Sequence, residues 1–263
     1  MPFTTFAWGE DVDLAGADGG LTAMPGETGL FFSGDNIRVP SYNQLVYSWG
    51  GLGSGGDGTL ALTSPSMRDE GKLYINPINH MADSDAETSD PIAVYDIRNN
   101  PRPLVSDENA SVVANSNTSA AAFQWLFVSF AAGPLTPVSG NIITQRATSS
   151  TTVTARTWTD CTLSFTNNLQ FGSYQIVGLR GVGATMVGAR VNFKGSSGIG
   201  ENQWYRPGVA CSDSSISTSA PGSRFGESGV FGVFQSTTPP SIEVVCDAAD
   251  SAQEFFLDLI QIS

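Results

Sequence analysis

Apolar residues in this chain recur in short runs that alternate with polar positions and are separated by turn-forming residues. The clearest sample is Tyr174–Phe193, YQIVGLRGVGATMVGARVNF. Two apolar stretches rich in β-branched residues flank glycines around Gly181–Gly183, which is the pattern of a β-hairpin. Both arms are apolar at most positions rather than at every second one. The pair is therefore expected to be covered on both faces, in the middle of a sandwich or at a subunit contact.

The same pattern predicts strands at Leu30–Phe32, Asn36–Val39, Leu45–Trp49, Thr59–Thr63, Lys72–Ile75 and Ile92–Ile97. It continues with Phe123–Phe130, Asn141–Arg146, Thr151–Thr157, Cys161–Phe165, Tyr174–Leu179, Thr185–Phe193, Tyr205–Cys211, Val230–Gln235, Ile242–Cys246 and Phe255–Ile262. Turn signals spaced about ten residues apart point to an all-β protein built as an antiparallel sandwich with long loops. Residues 1–29, with Asp11, Asp13, Asp18 and several glycines, read as an irregular N-terminal arm. Gly50–Gly58 (GGLGSGGDG) reads as a glycine-dense loop, and Asn76–Pro91 as a polar excursion. Ser106 is expected to cap a short helix with Asp107 and Glu108 in its first turn. The length allows one elaborated β-domain or two small ones. The reading adopted is an arm at 1–29 and a single elaborated jelly-roll-like domain over 30–263, with the number of jelly rolls left open.

Composition adds what the protein is not. Gly 29 and Pro 14, with only 14% charged residues, favour short strands and loops over long helices. A net charge of −13 and scattered arginines disfavour direct contact with nucleic acid or with an anionic membrane surface. Cys161, Cys211 and Cys246 are odd in number and widely spaced, so they are expected to be small buried hydrophobes in a reduced compartment rather than a disulfide framework. The N-terminal MPFTTFAWGEDVD lacks the basic and apolar regions of a signal peptide, and no run is long enough to span a bilayer. Synthesis in a cytoplasm is the expectation.

Candidate chemistry is sparse. His80 is the single histidine, sits in the polar excursion and has no G-x-S-x-G motif beside it, so it is expected to be a solvated loop residue rather than a catalytic base. Asp83, Asp85, Glu87 and Asp90 place hard oxygen ligands at alternating positions and form a weak Ca²⁺ candidate, although the glycine and bidentate glutamate of an EF-hand loop are missing. GLRGVGATMVG has Met186 where a dinucleotide fingerprint needs its third glycine. No catalytic residue and no cofactor other than that Ca²⁺ candidate is expected, and the protein is read as a non-enzyme.

Three segments resemble the jelly-roll major capsid proteins of tailless icosahedral phages and related viruses. They are the Tyr174–Phe193 block, Trp204-Tyr205-Arg206-Pro207-Gly208, and GESGVFGVFQSTTPPSIEVVCDAAD at 226–250. The resemblance covers about the last hundred residues. It implies a coat subunit that self-associates into trimeric or hexameric capsomers and an icosahedral shell, located in the virion. No basic arm is present to bind a genome. The resemblance therefore implies that an internal membrane, other capsid proteins or counterions line the shell. The N-terminal arm and the loops at 50–58, 76–91 and 212–228 are the expected contact elements. The alternative is a carbohydrate-binding β-sandwich module of a fibre or adhesin, with Trp8, Trp49, Trp125, Trp158 and Trp204 as candidate stacking platforms.

Overall fold

The computed structural model describes residues 3–12, 19–20, 32–33, 36–52, 56–66, 75–82, 93–116, 122–193, 205–211 and 225–263. Its strands in the first half are β1 (Phe3–Val12), β2 (Gly19–Gly20), β3 (Phe32–Ser33), β4 (Asn36–Arg38), β5 (Gln44–Leu52), β6 (Gly56–Thr63), β7 (Ile75–Ala82), β8 (Ala93–Asp96), β9 (Arg102–Pro103), β10 (Asn109–Ser116) and β11 (Ala122–Ala131). The second half holds β12 (Ile142–Ser149), β13 (Thr159–Cys161), β14 (Ser164–Phe165), β15 (Ser173–Val182), β16 (Met186–Asn192), β17 (Gly208–Ala210), β18 (Gly232–Gln235), β19 (Ser241–Cys246) and β20 (Gln253–Gln261). All pairings among them are antiparallel. The protein is an all-β sandwich fold, as the apolar patterning predicts.

The order of strands shows more than the patterning did. In the first half one sheet runs β1-β11-β5-β8, with β9 also on β5, and the other runs β4-β10-β6-β7, with β2 and β3 at its margin. In the second half the sheets run β12-β20-β15-β18, with β14 added at the β12 edge, and β13-β19-β16-β17. Let β2 to β4 count as one strand position, β8 and β9 as another, and leave β14 aside as an edge addition. Each half then has the sheets 1-8-3-6 and 2-7-4-5. This is the rolled, double Greek-key connectivity of a jelly roll, and it occurs twice in tandem. The single domain expected over 30–263 is therefore corrected to two jelly rolls joined at residues 132–141. The join is anchored at points along an otherwise exposed segment: Leu135 is buried and its N–H donates to the Arg98 carbonyl, and the Val138 N–H donates to the Gly226 carbonyl.

The sheets stack in four layers. Phe6, Trp8, Leu126, Val128 and Phe130 point from the β1-β11-β5-β8 sheet toward Ile37, Leu62, Ala110 and Val112 of the outermost sheet. Phe3, Ala7, Tyr47, Trp49, Trp125 and Phe127, on its opposite face, belong to a second core shared with the whole of the second jelly roll. The β13-β19-β16-β17 sheet thus lies between two others, and every residue of β16 is buried.

Several local expectations change for physical reasons. Phe3–Val12, expected within an irregular arm, is a ten-residue strand, because Phe3, Phe6, Ala7 and Trp8 fill cores on both of its faces. The Tyr174–Phe193 hairpin does not form. β15 and β16 sit in different sheets, and the turn between them carries the chain across the sandwich. The helix expected after Ser106 is strand β10, whose Ala110 and Val112 both point inward; Asp107 instead turns in the left-handed region at φ 67°. The glycine-dense loop shrinks, since Gly50–Leu52 continue β5 and Gly56–Gly58 open β6. Gly51 is needed for close approach: a Cβ there would lie 2.2 Å from the Trp125 ring. Ile75–Ala82, including His80, is strand β7 rather than a loop. Thr151–Thr157 is mostly irregular, with one bridge from Val153 to Asp250.

Candidate assembly surface

The two jelly rolls meet along a seam whose polar centre comes from one row across the β13-β19-β16-β17 sheet. Asp160, Glu243, Arg190 and Gly208 are register neighbours in that order. The alternation of a strand sends all four to the face opposite Ile242, Val244 and Ala189, which pack inward. Arg190 donates through Nε to Glu243 and through NH1 to the Thr5 carbonyl at 3.1 Å, and its guanidinium lies 3.9 Å over the Trp158 ring. Asn192 Nδ2 bridges Glu243 at 3.1 Å and Asp160 at 2.9 Å, and Arg206 pairs with Glu243 at 3.3 Å. Gly208 donates its N–H to Thr5 Oγ1 at 2.9 Å.

Apolar groups frame this network. Phe127 sits over Gly188, where a Cβ would come within 2.6 Å of its ring; it stacks on Trp49 and meets Trp158 edge-on. Phe3 packs edge-on against Phe231 at 5.1 Å. A charged cluster held in this way fixes register and orientation. It adds little net stability, because desolvation offsets most of the attraction.

A strap at Phe225–Gly229 crosses the outer face of the β12-β20-β15-β18 sheet. Phe225 (φ 48°), Gly226 (φ 77°) and Gly229 (φ 78°) take left-handed conformations. Gly226 is required there, since a Cβ would fall 2.3 Å from the Val138 carbonyl oxygen. Beneath the strap the fully buried Asp258 accepts from Arg180 at 2.6 and 2.9 Å, from Thr144 Oγ1 at 2.6 Å and from the Phe225 N–H at 2.9 Å. Burial pushes the Asp258 carboxyl up, but bonds from Arg180, the Phe225 N–H and Thr144 outweigh it and hold it below the usual value. On the other side, Ser228 bonds the Tyr47 hydroxyl and accepts from Arg98, which also pairs with Glu227 at 3.6 Å. The strap thus ties both jelly rolls together. Burial, partly offset by the Ser228 bond, pushes Tyr47 up to about 12.

Other residues singled out from the sequence go to separate places. Asp83, Asp85, Glu87 and Asp90 lie outside the described residues. Among the described residues no group of three His, Cys, Asp or Glu side chains is placed to hold a metal. Cys161, Cys211 and Cys246 are free and buried, and burial pushes Cys161 up to about 11 and Cys246 to about 12. Trp8, Trp49, Trp125 and Trp158 are all buried, which removes them as platforms for a sugar. Trp204 lies outside the described residues, as do most of the expected contact loops at 76–91 and 212–228. The Arg190 cluster gave no sequence signal, because its members are spread from Thr5 to Glu243 and meet only through strand register.

No family model matches the chain, and no curated protein matches its sequence. Among solved structures, the PBSX exported protein XepA covers 95% of this chain and 88% of its own at 10% identity, with a TM-score of 0.24, a level of likeness that carries no argument.

Proposed function

We propose that this chain is the major coat subunit of a tailless icosahedral phage or related virus, closing into ring-shaped capsomers that tile a shell. One observation carries this reading: the 1-8-3-6 sheet of one jelly roll is docked on the 2-7-4-5 sheet of the next, with equivalent strands running the same way. Thr5 lies level with Arg190 and Gly208, and the chain advances along β1 to Ala7, the register partner of Phe127, which covers Gly188. β1 therefore runs opposite to β16, as β12 does in its own jelly roll.

Such a contact joins unlike faces, so it is heterologous, and repetition between copies produces a ring wherever the rotation closes. Three chains would place six jelly rolls around one axis and give the capsomer a near-hexagonal outline suited to tiling. The reading assigns no catalytic step. Satisfied ion pairs and aromatic packing hold shape, and the net charge of −13 leaves the lining of the shell to a membrane, a second protein or counterions. The burial of Trp8, Trp49, Trp125 and Trp158 counts against the sugar-binding alternative.

Native mass spectrometry and negative-stain microscopy test the reading. Closed rings of three chains are expected, with hexagonal outlines. A single chain of 27.6 kDa at every concentration and salt condition overturns it.

A further inference from the structure

We propose that the outer face of the β14-β12-β20-β15-β18 sheet, anchored by Phe225, docks on the outermost sheet of the first jelly roll of a second copy. The inference rests on the self-assembly reading and adds the face and the residues that carry it.

The two jelly rolls carry equivalent faces. Within the chain, the 1-8-3-6 sheet of the first jelly roll buries its outward side against the second jelly roll. The β12-β20-β15-β18 path is the 1-8-3-6 sheet of the second jelly roll, and among the described residues no other sheet lies over its outward side. The two faces correspond in register. Phe3 pairs with Ala131 at the start of the first strand of one, and Ile142 pairs with Ile260 at the same place in the other. The first pair is sealed in the seam, whereas Ile142, Phe256 and Ile260 are half-buried.

The anatomy of the face fits a protein partner. Phe225 is 57% exposed although its backbone is pinned on both sides, so its ring is presented at little ordering cost. The charges beneath it are matched, since Arg180 and Asp258 satisfy each other and the Arg180 guanidinium lies 5.5 Å from the Phe225 ring. Docking over this centre therefore strands no buried charge. Arg146 and Glu254, paired at 2.6 Å and partly exposed, supply a polar rim. A packed aromatic anchor inside such a rim is how few residues come to dominate an interface. The strap also holds Tyr47 and Arg98 of the first jelly roll through Ser228, so the docking anchor and the intrachain seam are one piece of structure.

Phe225→Asn and, independently, Phe256→Ser test this in the full chain, with circular dichroism to verify folding and sedimentation to measure assembly. Asn suits the left-handed backbone at position 225. Phe171→Ser is the control, because Phe171 is 87% exposed and belongs to the turn before β15 rather than to the strap or to a strand of this sheet. Both face variants are expected to weaken assembly by about tenfold or more while the control assembles as the parent does. If the parent forms rings and the folded face variants form them equally well, the proposed face is wrong and the coat-subunit reading stands. If the parent never associates, both fall together. Should Phe225→Asn fail to fold, Phe256→Ser decides alone.

Discussion

Single residues in this protein show how burial, rather than sequence neighbourhood, sets chemical behaviour. Asp258 is the sharpest case. Its folded value lies below the ordinary 3.8, so the stability it contributes is present above that value and is lost as the pH falls through the lower folded value. Asp258→Asn leaves Arg180 buried without its counter-charge and is expected to cost about 3–5 kcal/mol, read as a lower denaturant midpoint. At the alkaline end the sign reverses. Cys161 and Cys246 rise from 9.0 to about 11 and about 12, and Tyr42 and Tyr47 from 10.0 to about 12, all chiefly through burial. Each contribution is intact below the unfolded value and disappears as the pH climbs toward the folded one. The melting temperature is expected to fall steeply between pH 9 and 11, and a flat profile over that range would contradict the burial of these groups. The inward positions of these cysteines were legible from their spacing and the absence of partner motifs; the Asp258 pair was not, since Arg180 and Asp258 are 78 residues apart and meet only because β15 pairs with β20.

At the scale of elements, covering decides what alternation alone cannot. β16 has apolar residues on one side and Gly188, Arg190 and Asn192 on the other, yet all of it is buried because a sheet lies over each face. Its amides are expected to exchange with solvent more slowly than those of β12, whose Ile142–Arg146 stretch lies on the edge beyond the two residues that β14 pairs with. Hydrogen exchange with mass spectrometry checks the order, and faster exchange in β16 would refute the layered stack. Gly188→Val forces the Phe127 ring from its place and is expected to cost about 1–3 kcal/mol through overpacking, measured by chemical denaturation. The strands were largely legible in the sequence, because short β-branched runs between turn residues have few other ways to hide their apolar side. Partnership was not: the apparent hairpin of β15 and β16 looks local, but the turn after Val182 opens into a second sheet.

For the molecule as a whole, the seam makes two jelly rolls behave as one body. The larger core runs from Phe3 to Leu259 and includes both sides of the seam. Separating the halves would expose Phe127, Trp49 and Trp158 and strand the Arg190–Glu243 cluster, so neither half has a low-cost way to unfold alone. Calorimetry is expected to show one cooperative transition whose calorimetric and van't Hoff enthalpies agree. Two resolved transitions would mean the seam is looser than its packing implies. The same seam, repeated between copies, is the geometric basis of the proposed ring.

The class of architecture was already legible along the chain: all-β, acidic, rich in turns, with apolar runs too short and too β-branched for helices. Those properties follow from local chemistry, because which backbone shape can bury a given run depends on neighbours within a few residues. Long-range packing settled that there are two jelly rolls and not one, that Phe3–Val12 is a core strand, and that Asp160, Glu243, Arg190 and Thr5 converge. These outcomes depend on strand register and sheet stacking, which join residues more than a hundred positions apart through hydrogen bonds the backbone of any sequence could make. Side-chain volume and charge select among those pairings only once the layers are in contact.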